Sequence, residues 1–550
     1  MRVKSLFFTL LFFISVINLL DAQTPSWQWA HSEETPFSFS VTSDLSGNAI
    51  IAGTCGFDTL AIGSDTLFPF GMIDIYTAKY DAAGNILWAR CAGGIYDEEV
   101  TSVTTDASGN IIVCGWFGSD SMTFGSTVIY NHGPFFSPYL DFFIVKYDGN
   151  GNVLWAKCGG GSDNDLLNSV TTDGFDNIIA TGSFRSPLIA LGTDTLSNNF
   201  GANDLIFTVK YDSNGNVIWA KSIQGGSSCW GSSIAADNSG SIILTGQFNG
   251  FSMVFDSITV YNMAFSTKEL FLAKYDSDGN FVWVNFFGGN GYDHANSVAV
   301  HSNGDIVVTG FYEGPSITFD SITLNNNGYF NMFLVKYDSL GNELWAKSAG
   351  GAYSVIAWSV AADAAGNSYV AGNYNDSSIT FGSFNLNNVS PPYQDIFAAK
   401  YDVNGNVSWA LGAGGVDHDN AYSIATDAFG DVFITGKFFY PSISFGTINL
   451  NNNIVSCFNT YVAKIDEATG LSENFINNTF NVYPNPANST INFVINKNEN
   501  IVVRNLYGEI LLKKDYLTHE DQKLALDISL LVPGIYIINA GNKTQKFVKL

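Results

Sequence analysis

The chain has 550 residues, and its 50 Asp and Glu against 24 Lys and Arg give a formal net charge of −26. A surface this acidic excludes nucleic acid as an expected partner, because phosphate binding requires a basic surface. Charged residues make up 13% of the chain, aromatic residues 15%, and glycine occurs 54 times. This composition favours an all-β chain with many turns, and the length is too great for one ordinary domain.

The N-terminal segment has the pattern of a secretory signal peptide. Arg2 and Lys4 supply positive charge, residues 6–20 are apolar, and Ala22 fits a cleavage position. This apolar run is short for a bilayer span, so residues 1–22 predict export rather than a membrane anchor. No later stretch is long and apolar enough to cross a bilayer, and we therefore expect no transmembrane segment in the mature chain.

One hairpin-like motif recurs through most of the chain and sets its organisation. Residues 332–347 show it best, with an apolar run, a Lys-Tyr-Asp triplet, a turn of the form Asp-x-x-Gly-Asn, and a Trp. The triplet begins at Lys79, Lys146, Lys210, Lys274, Lys336 and Lys400, with a Lys-Ile-Asp variant at Lys464, and the Trp residues are Trp88, Trp155, Trp219, Trp283, Trp345 and Trp409. A period of roughly 60 residues indicates a repeat architecture. Each copy predicts two β-strands joined by a tight turn in which Gly and Asn tolerate positive φ.

Each repeat has a second half with a hairpin of its own. In residues 296–310 a Ser-Val-Ala strand, a turn and a Val-Thr-Gly strand follow one another, and equivalent strands begin at Ser40, Ser102, Ser169, Ser233, Ser359 and Ser423. Residues 317–321 predict a small extra hairpin before the Lys-Tyr-Asp strand. Four principal strands per repeat, arranged radially, are typical of a β-propeller blade. The Ser-Val-Ala strand is expected to be innermost and the Trp strand outermost.

Seven Ser-Val-Ala strands and seven Lys-x-Asp strands predict an all-β, seven-bladed β-propeller over residues 27–466. The last triplet, residues 464–466, has no Trp strand after it, and residues 27–30 supply one at the other end of the chain. A three-stranded final blade would expose an unpaired edge. The N-terminal strand is therefore expected to close the propeller, with Trp29 in the position that Trp88 occupies in its own blade.

These repeats resemble the bacterial β-propeller repeat family often called SBBP. The motif of a Trp, a Gly-Gly pair, Ser-Val-Ala, a turn and Val-Thr-Gly is clearest between Trp283 and Gly310, and the resemblance covers residues 27–466. Two copies depart in their turns, with Ser241 in place of the terminal Asn and His301 in place of the Asp. The resemblance implies an architecture and provides no catalytic residue to transfer.

The end of the chain is a different module. Residues 467–474 read as a linker, and the short apolar runs of residues 475–550 predict a small β-sandwich. Its motifs resemble the C-terminal sorting domain of the type IX secretion system, and the matching residues are Tyr483, Pro484, Asn485, Pro486, Gly508, Gly534 and Tyr536. The resemblance implies recognition by the type IX secretion machinery, transport across the outer membrane of a Gram-negative bacterium, and release or attachment at the outer cell surface.

Export permits disulfides, and the chain has six cysteines. Cys91 and Cys158 occupy the same repeat position, three residues after the Trp, and the sequence shows neither a CxxC pair nor a zinc spacing. This pattern predicts small buried cysteines rather than a disulfide framework.

Two sets of residues are candidates for ligand binding. One is an acidic column ten residues after the Trp, formed by Glu98, Asp165, Asp293 and Asp419. Carboxylates around one face bind a cation or a polar ligand, although such side chains more often accept hydrogen bonds from loop N–H groups. The other is an insertion in the second repeat with Tyr130, Phe135, Phe136 and Tyr139. Exposed rings stack on sugars or anchor a protein partner, and the alternative is that they pack against the next blade.

Residue patterns for metal binding and catalysis are weaker. Asp276–Asn280 resembles the start of a calcium loop, but the required acid at its twelfth position is absent. A hairpin turn explains the pattern, so no cofactor is expected and Ca²⁺ stays an open alternative. The chain has neither a GxSxG elbow nor an HExxH pattern. Carboxylate-only glycosidase chemistry stays open, because its acids stand far apart in sequence.

The sequence therefore favours a secreted or cell-surface protein that binds extracellular glycan or protein without catalysis. The alternative is a secreted polysaccharide hydrolase or lyase acting in the mouth of the propeller. Two neighbouring carboxylates in a deep central pocket would favour the enzyme, whereas a shallow aromatic rim would favour the binding protein. Residues present in every blade, such as the triplet lysines, are expected to be structural, because function lies where one blade departs from the others.

Overall fold

The computed structural model describes residues 25–33, 37–56, 59–63, 65–134, 139–199, 201, 203–225, 229–249, 252–256, 258–261, 269–326, 328–439, 441–452, 458–467, 482–483, 485–495, 499–505, 510–516, 522–532, 534–540 and 543–549. The backbone of these residues forms strands, turns and bends, and they include no helix with the length and hydropathy of a membrane span. The chain divides into two compact units, Ala22–Thr469 and a second that includes Gly470–Leu550. We call them the repeat module and the C-terminal module. The predicted signal peptide, residues 1–22, lies outside the described residues.

The repeat module begins with β1 (Ser26–Glu33) and continues with units that we number I to VII along the chain. Unit I contains β2 (Phe37–Ser43), β3 (Ala49–Gly56), β4 (Leu60–Ile62), β5 (Asp65–Leu67), β6 (Ile73–Tyr80) and β7 (Ile86–Ala92). Unit II contains β8 (Glu98–Thr105), β9 (Ile111–Phe117), β10 (Ser121–Phe124), β11 (Thr127–Tyr130), β12 (Asp141–Tyr147) and β13 (Val153–Gly159). Unit III contains β14 (Asp165–Thr172), β15 (Ile178–Phe184), β16 (Leu188–Leu191), β17 (Asp194–Ser197), β18 (Leu205–Tyr211) and β19 (Val217–Gly225).

The remaining units repeat this order. Unit IV contains β20 (Cys229–Ala236), β21 (Ile242–Phe248), β22 (Ser252–Phe255), β23 (Ile258–Tyr261), β24 (Glu269–Tyr275) and β25 (Phe281–Gly289). Unit V contains β26 (His294–Val300), β27 (Ile306–Tyr312), β28 (Ser316–Phe319), β29 (Ile322–Asn325), β30 (Asn331–Tyr337) and β31 (Glu343–Ala349). Unit VI contains β32 (Val355–Ala362), β33 (Ser368–Tyr374), β34 (Ser378–Phe381), β35 (Phe384–Asn387), β36 (Asp395–Tyr401) and β37 (Val407–Gly415). Unit VII contains β38 (Asp419–Thr426), β39 (Val432–Phe439), β40 (Ser442–Phe445), β41 (Ile448–Asn451) and β42 (Phe458–Asp466).

Each unit is built on one antiparallel sheet of four strands. In unit I the order is β2-β3-β6-β7, with the Ser-Val-Ala strand at one edge and the Trp strand at the other, and units II to VI repeat it. The small hairpin predicted before the Lys-Tyr-Asp strand is present, as in β28–β29. The two central strands are apolar along their length and buried, as Ile306, Val307 and Val308 of β27 show. The sheets therefore pack against one another on both faces, which is the arrangement expected of propeller-like repeats.

The N-terminal strand completes unit VII, whose sheet has the order β1-β42-β39-β38. Trp29 stands opposite Lys464 across this pair, as Trp88 stands opposite Lys79 in unit I. Trp29 is 9% exposed, and its Nε1–H donates to the Ala82 carbonyl at 3.1 Å. The strand pairing expected between residues 27–30 and 461–464 is thus present, because β1 carries the apolar face that β42 otherwise leaves uncovered.

A series of serine hydrogen bonds links the inner strands of neighbouring units. Val103 N–H of unit II donates to Ser40 Oγ of unit I at 3.1 Å. The same bond joins Ser102, Ser169, Ser233, Ser297 and Ser359 to the following unit at 3.2–3.3 Å. Val41 N–H of unit I donates to Ser423 Oγ of unit VII at 3.1 Å, so the series returns to its starting unit. The recurring serine satisfies a buried backbone donor that the edge of an inner strand leaves unpaired.

The turn glycine and the Trp of the repeat depend on each other. Gly151 of unit II has a φ of 79°, and a Cβ there would lie 2.9 Å from the ring of Trp88 in unit I. The Trp88 Nε1–H donates to the Gly149 carbonyl in the same turn at 3.1 Å. A side chain at the glycine would therefore strain the backbone and displace the indole. This contact explains why the two residues recur together.

The triplet lysines are buried and paired, as expected of structural residues. Lys146 Nζ lies 2.8 Å from Asp106 Oδ2 in its own unit and donates to the Ser213 carbonyl of the next unit at 3.1 Å. Equivalent ion pairs hold Lys79, Lys210, Lys274, Lys336, Lys400 and Lys464. Lys400 pairs with Glu467, the first residue of the predicted linker, which also accepts a hydrogen bond from Tyr369 at 3.1 Å. The repeat module therefore extends to Glu467, one residue beyond the predicted boundary.

The described cysteines Cys55, Cys91, Cys114, Cys158 and Cys229 are all free thiols, and Cys457 lies outside the described residues. Cys55, Cys114 and Cys229 are buried, whereas Cys91 and Cys158 are partly exposed. The Sγ atoms of Cys55 and Cys91 lie 3.7 Å apart. Both stand on strands that flank β6, which places their backbones roughly two strand spacings apart and beyond normal disulfide geometry.

The C-terminal module contains β43 (Thr490–Ile495), β44 (Glu499–Asn505), β45 (Ile510–Tyr516), β46 (Gln522–Asp527), β47 (Gly534–Ala540) and β48 (Lys543–Lys549). These strands form two antiparallel sheets, β43-β46 and β45-β44-β47-β48. Ile491 and Phe493 of the first sheet share one buried cluster with Val503, Ile538 and Phe547 of the second. Two small sheets around a common apolar core correspond to the predicted β-sandwich.

Candidate ligand-binding face

One end of the repeat module carries the loops that differ between units. In unit II, Glu98 begins β8, Phe117 ends β9 and Asp141 begins β12, and these residues pair side by side. The crossovers between units and the small hairpins lie at this end, which we call the upper end. The turns that share one motif, such as residues 148–152, lie at the other end of the strands. Recognition residues are expected among variable loops rather than repeated turns.

The predicted acidic column lies at the upper end but is not accessible there. Glu98, Asp165, Asp293 and Asp419 are at most 1% exposed. They accept hydrogen bonds from loop N–H groups, for example Gly94 N–H to Glu98 Oε2 at 3.0 Å and Gly415 N–H to Asp419 Oδ2 at 2.6 Å. A ligand at the surface does not reach these carboxylates. The structure therefore supports the alternative role, in which these carboxylates anchor the crossover loops.

Each of these four acids interacts with a second acid at the start of the third strand. The partners are Asp74, Asp141, Glu269 and Asp395. Burial, together with a smaller effect of the charge of Asp141, raises the pKa of Asp165 to about 6 in spite of hydrogen bonds from Ser186 and Arg185. The pairs Asp74–Glu98 and Asp395–Asp419 are at most 2% exposed. These two pairs therefore lie buried between neighbouring units.

The recurring Gly-Gly pair makes room for these acids. A Cβ on Gly414 would lie 2.1 Å from Asp395 Oδ1, and a Cβ on Gly415 would lie 2.1 Å from the Ser442 carbonyl. Gly93 stands in the same relation to Asp74. The outer strand therefore ends in two glycines where a carboxylate and a small hairpin pack against it.

The inserted loop of unit II is described in part. Tyr130 is 66% exposed and Tyr139 is 37% exposed, whereas Phe135 and Phe136 lie outside the described residues. Next to them, His132 Nδ1 lies 2.7 Å from Asp141 Oδ2, and this contact raises the pKa of His132. The two described tyrosines are on the surface at the upper end. The predicted role of this loop in binding stays a prediction.

A set of aromatic side chains that the repeat pattern did not predict lies near the upper end of the repeat module. We call it the aromatic arc and define it as Phe37, Phe39, Phe311, Trp358, Tyr422 and Phe458. Ring centroids lie 6.4 Å apart for Phe458–Phe37, 5.7 Å for Phe37–Phe39 and 6.1 Å for Phe39–Tyr422. They lie 6.1 Å apart for Tyr422–Trp358 and 6.4 Å for Trp358–Phe311. The arc is continuous across units VII, I, VI and V.

Most rings of the arc are partly exposed, and three of them occupy one repeat position. Phe39, Trp358 and Tyr422 each stand directly before the serine of the inner strand. At that position Thr101, Asn168 and Asn296 instead donate to carbonyls of the next inner strand at 2.7–2.8 Å. Aromatic residues replace these interblade hydrogen bonds in units I, VI and VII. Aligning the repeats on the serine and looking for this departure would have revealed the arc.

Exposed tyrosines extend the aromatic surface outward at the upper end. Tyr292, Tyr329, Tyr353 and Tyr393 are 41–57% exposed and lie on the loops of units IV to VI. Tyr292 contacts Phe311 with 6.0 Å between ring centroids, and Tyr329 reaches Phe311 through Phe330. Partly exposed rings with polar edges are suited to stacking on the faces of sugars or on a protein partner. Tyr292 and Tyr329 are thus continuous with the aromatic arc.

A single lysine stands inside the arc. The Nζ of Lys437 on β39 lies 4.3 Å from the ring centroid of Phe458, 4.5 Å from that of Phe37 and 5.5 Å from that of Tyr422. Such distances are those of cation–π contacts. Burial lowers the pKa of Lys437. The arc thus combines apolar ring faces with one partly desolvated positive charge.

The turn carboxylates that suggested calcium are engaged within their own turns. Asp276 Oδ1 accepts from Asp278 N–H at 3.0 Å and from Asn280 N–H at 2.8 Å, and Asp276 Oδ2 accepts from the Asn280 side chain at 2.9 Å. Across the described part of the chain, His, Cys, Asp and Glu side chains form no group of three or more suited to a metal ion. The hairpin explanation of the pattern accounts for these contacts.

The motif residues of the C-terminal module connect its two ends. Asn485 Oδ1 accepts from Val548 N–H at 2.7 Å, and Tyr483 forms an isolated bridge with Asn492. Tyr536 OH donates to the Val532 carbonyl at 2.7 Å. Pro484 and Gly508 lie outside the described residues. The opening motif is therefore tied to the last strand of the chain, β48.

Together these features define a propeller-like repeat protein with a separate C-terminal module. Residues 481–550 match the family model described as "Secretion system C-terminal sorting domain". The sorting domain that the sequence motifs predicted is thereby confirmed. A type IX sorting domain indicates a secreted or cell-surface protein.

Comparisons of the whole chain give more distant similarities. It is 26% identical over 520 aligned residues to the "Uncharacterized WD repeat-containing protein L264" of Acanthamoeba polyphaga mimivirus, and the match covers 77% of this chain. The chain spans 37% of the length of that relative. Among solved structures, the Pan2 WD40 domain of Neurospora crassa has 10% identity and a TM-score of 0.41, covering 81% of this chain and 96% of that one. Sqt1 from Chaetomium thermophilum has 10% identity and a TM-score of 0.34, covering 75% and 82%. Likenesses at these TM-scores support no statement about function.

Proposed function

We propose that the chain is an exported, closed seven-bladed β-propeller of the SBBP type that binds an extracellular glycan without catalysis. The sorting domain supports export to the cell surface or the medium. The pairing of β1 with β42 and the serine series that returns from Ser423 to Val41 support closure of the ring. Seven units of this kind match the number of repeats in the sequence.

The observation that carries the binding function is the aromatic arc. Five of its six rings are partly exposed, and the rings are continuous from Phe458 to Phe311. The repeat does not require them, because other units place hydrogen-bonding side chains at the same position. A shallow aromatic rim presents flat apolar faces with polar edges, and pyranose rings stack on such faces. A hydrolase would need neighbouring carboxylates that a substrate can reach. The pairs Asp74–Glu98 and Asp395–Asp419 are buried between blades instead, so the aromatic rim favours a binding protein over an enzyme.

The test is glycan binding by the purified mature chain and its variants. We expect the wild type to bind a subset of polysaccharide fragments on a glycan array, with affinities then measured by calorimetry. Trp358→Ala and Tyr422→Ala should each weaken binding about tenfold or more, as central aromatic contacts do. Tyr130→Ser and Tyr139→Ser should weaken it less, through the loop of unit II, with the melting temperature nearly unchanged.

The matched control is Phe175→Ala, which removes an exposed ring (68% exposed) from a turn at the opposite end of the module. This variant should bind as the wild type does. Equal affinity of the Trp358 and Tyr422 variants, or specific capture of a protein with no glycan binding, would contradict the proposal.

A further inference from the structure

We propose that the aromatic arc selects acidic glycans, and that Lys437 binds the carboxylate or sulfate group of the sugar. This inference rests on the proposed glycan-binding function and adds the ligand class to it. An unpaired cation inside an aromatic rim requires an explanation, because every triplet lysine of the same module is paired.

Lys437 differs from the structural lysines in its surroundings. Lys146 and its equivalents are largely buried and lie against carboxylates, at 2.7–3.5 Å in six pairs and in the Lys400–Glu467 contact of the seventh. Lys437 is partly exposed, and within the described residues it has no carboxylate at ion-pair distance. Three aromatic rings surround its ammonium group instead. These cation–π contacts hold the charge in place beside partly exposed rings.

The position of Lys437 is specific to one unit. It pairs with Asn420 of the inner strand, and the residues in the same register in units I to VI are Thr54, Trp116, Ser183, Gln247, Phe311 and Asn373. None of these six is charged. A basic residue that only one unit carries, beside aromatic residues that only some units carry, is the signature of a site rather than of the scaffold.

One of the other inner strands carries an acid in the register position of Asn420, the residue that pairs with Lys437. Glu99 of unit II occupies the register position of Asn420, and unit I separates it from unit VII. Burial raises the pKa of Glu99. His294 of unit V is the other titratable side chain at this register position. Lys437 is therefore the cation that a ligand in the arc meets first.

The strong negative charge of the whole chain does not prevent binding of an acidic ligand. At physiological ionic strength charges farther apart than about 8 Å are largely screened. A sugar anion stacked on the arc would meet Lys437 at contact distance, well inside that range. Weakly hydrated ammonium groups gain more from an anion than fully hydrated ones, because part of their desolvation has already occurred on folding.

The experiment compares oligosaccharides that share a backbone and differ only in charge. One arm uses an oligogalacturonate and its methyl ester, and a second uses a sulfated galactan oligosaccharide and its desulfated form. We expect the wild type to bind at least one acidic probe about tenfold more tightly than its neutral counterpart, the range of one charge-assisted hydrogen bond. The arm that shows the larger difference identifies carboxylate or sulfate as the recognised group.

Three variants separate charge from packing. Lys437→Met keeps the apolar stem between the rings and should lose the preference for acid, whereas Lys437→Arg should retain it. Lys221→Met, on the outer strand of unit III, is the control and should bind as the wild type does. Melting temperatures identify any variant that fails to fold, and in that case the salt dependence of wild-type binding tests the same contact.

The possible outcomes are distinct. Equal binding of acidic and neutral probes, with loss of both in Trp358→Ala, would overturn acid selection and leave the proposed function standing. Binding of inorganic sulfate with no dependence on the sugar would overturn the glycan class. Absence of binding to every oligosaccharide would overturn both proposals. A preference for acid that Lys437→Met abolishes and Lys437→Arg retains would support the inference.

Discussion

The pKa of a carboxyl group in this protein depends on its surroundings, as Asp402 and Glu33 show. At the lower turns hydrogen bonds hold the charged form, and the Asn406 side chain and backbone N–H lower the pKa of Asp402. At the upper end and on β1 burial dominates, and the pKa of Glu33 rises to about 7 in spite of a hydrogen bond from Tyr80. Hydrogen bonds within the turn thus favour the charged form of Asp402, whereas burial favours the protonated form of Glu33.

Glu33 gives a test of this pattern through pH. Its pKa of about 7 in the folded chain exceeds its ordinary value of 4.5, so between these values the folded state binds more protons than the unfolded state. Stability should therefore fall as the pH rises from about 4.5 to about 7 and then stay level with respect to this group. Glu33→Gln keeps an acceptor for Tyr80 OH, which donates at 2.8 Å in the wild type. Melting temperatures across this range should decline less in the variant, and an equally steep decline would contradict the burial of the charged form.

At the scale of strands, the N-terminal strand β1 stabilises the fold through the side chain of Trp29 as well as through its backbone pairing with β42. Trp29 contacts Phe433 and Tyr80 with ring centroids 6.2 Å and 6.4 Å away, so it joins unit VII to unit I. In the other units a covalently adjacent strand brings the Trp to its place. In unit VII the chain must first complete all other units, which makes this pairing the most non-local one in the module.

Trp29→Ala should therefore destabilise the protein as strongly as Trp88→Ala does. Both rings are at most 9% exposed, and truncation of a buried Trp costs about 3–5 kcal/mol. Leu87→Ala, at a side chain that is 51% exposed on an outer strand, is the control and should change stability by less than about 0.5 kcal/mol. Urea unfolding monitored by circular dichroism measures all three. A cost for Trp29→Ala below about 1 kcal/mol would show that β1 contributes little to closure.

At the scale of the whole molecule, the two modules have separate cores and separate tasks. The apolar cluster around Ile491 and Phe547 contains residues of the C-terminal module alone. Every principal sheet of the repeat module lies within Ala22–Thr469. We therefore expect the repeat module to fold without the sorting domain and its export to require it.

Removal of residues 475–550 should leave a folded repeat module that is not exported. The expected result is a protein of unchanged melting temperature for the repeat module, found in the periplasm rather than at the cell surface or in the medium. Cell fractionation and immunoblotting of the two forms measure this distribution. Normal secretion of the truncated chain would contradict the assignment, and loss of folding would show that the modules depend on each other.

The sequence by itself determined the repeat and its strands, because their causes are local. Turn glycines, triplet lysines and Trp residues recur at one period, and each copy needs the same backbone conformation and the same buried partners. The Trp27–Ala30 segment was predictable for the same reason, since a missing strand leaves an identifiable gap. The sorting domain was predictable because its motifs, from Tyr483 to Tyr536, are specific and stand together at the end of the chain.

The tertiary structure decided which side chains face solvent, because curvature and packing between blades set exposure. Glu98 and Asp419 share a sequence position that predicts polar side chains at the surface. The crossover loops and the Gly-Gly pairs bury them instead. Phe39, Trp358 and Tyr422 read as ordinary strand residues and become one surface only when units I, VI and VII lie side by side. Lys437 has Tyr422 and Phe458 from its own unit beside it, and it acquires the third ring, Phe37, from unit I at the other end of the module. Such long-range contacts leave no local signal, so the candidate site was visible only in the folded chain.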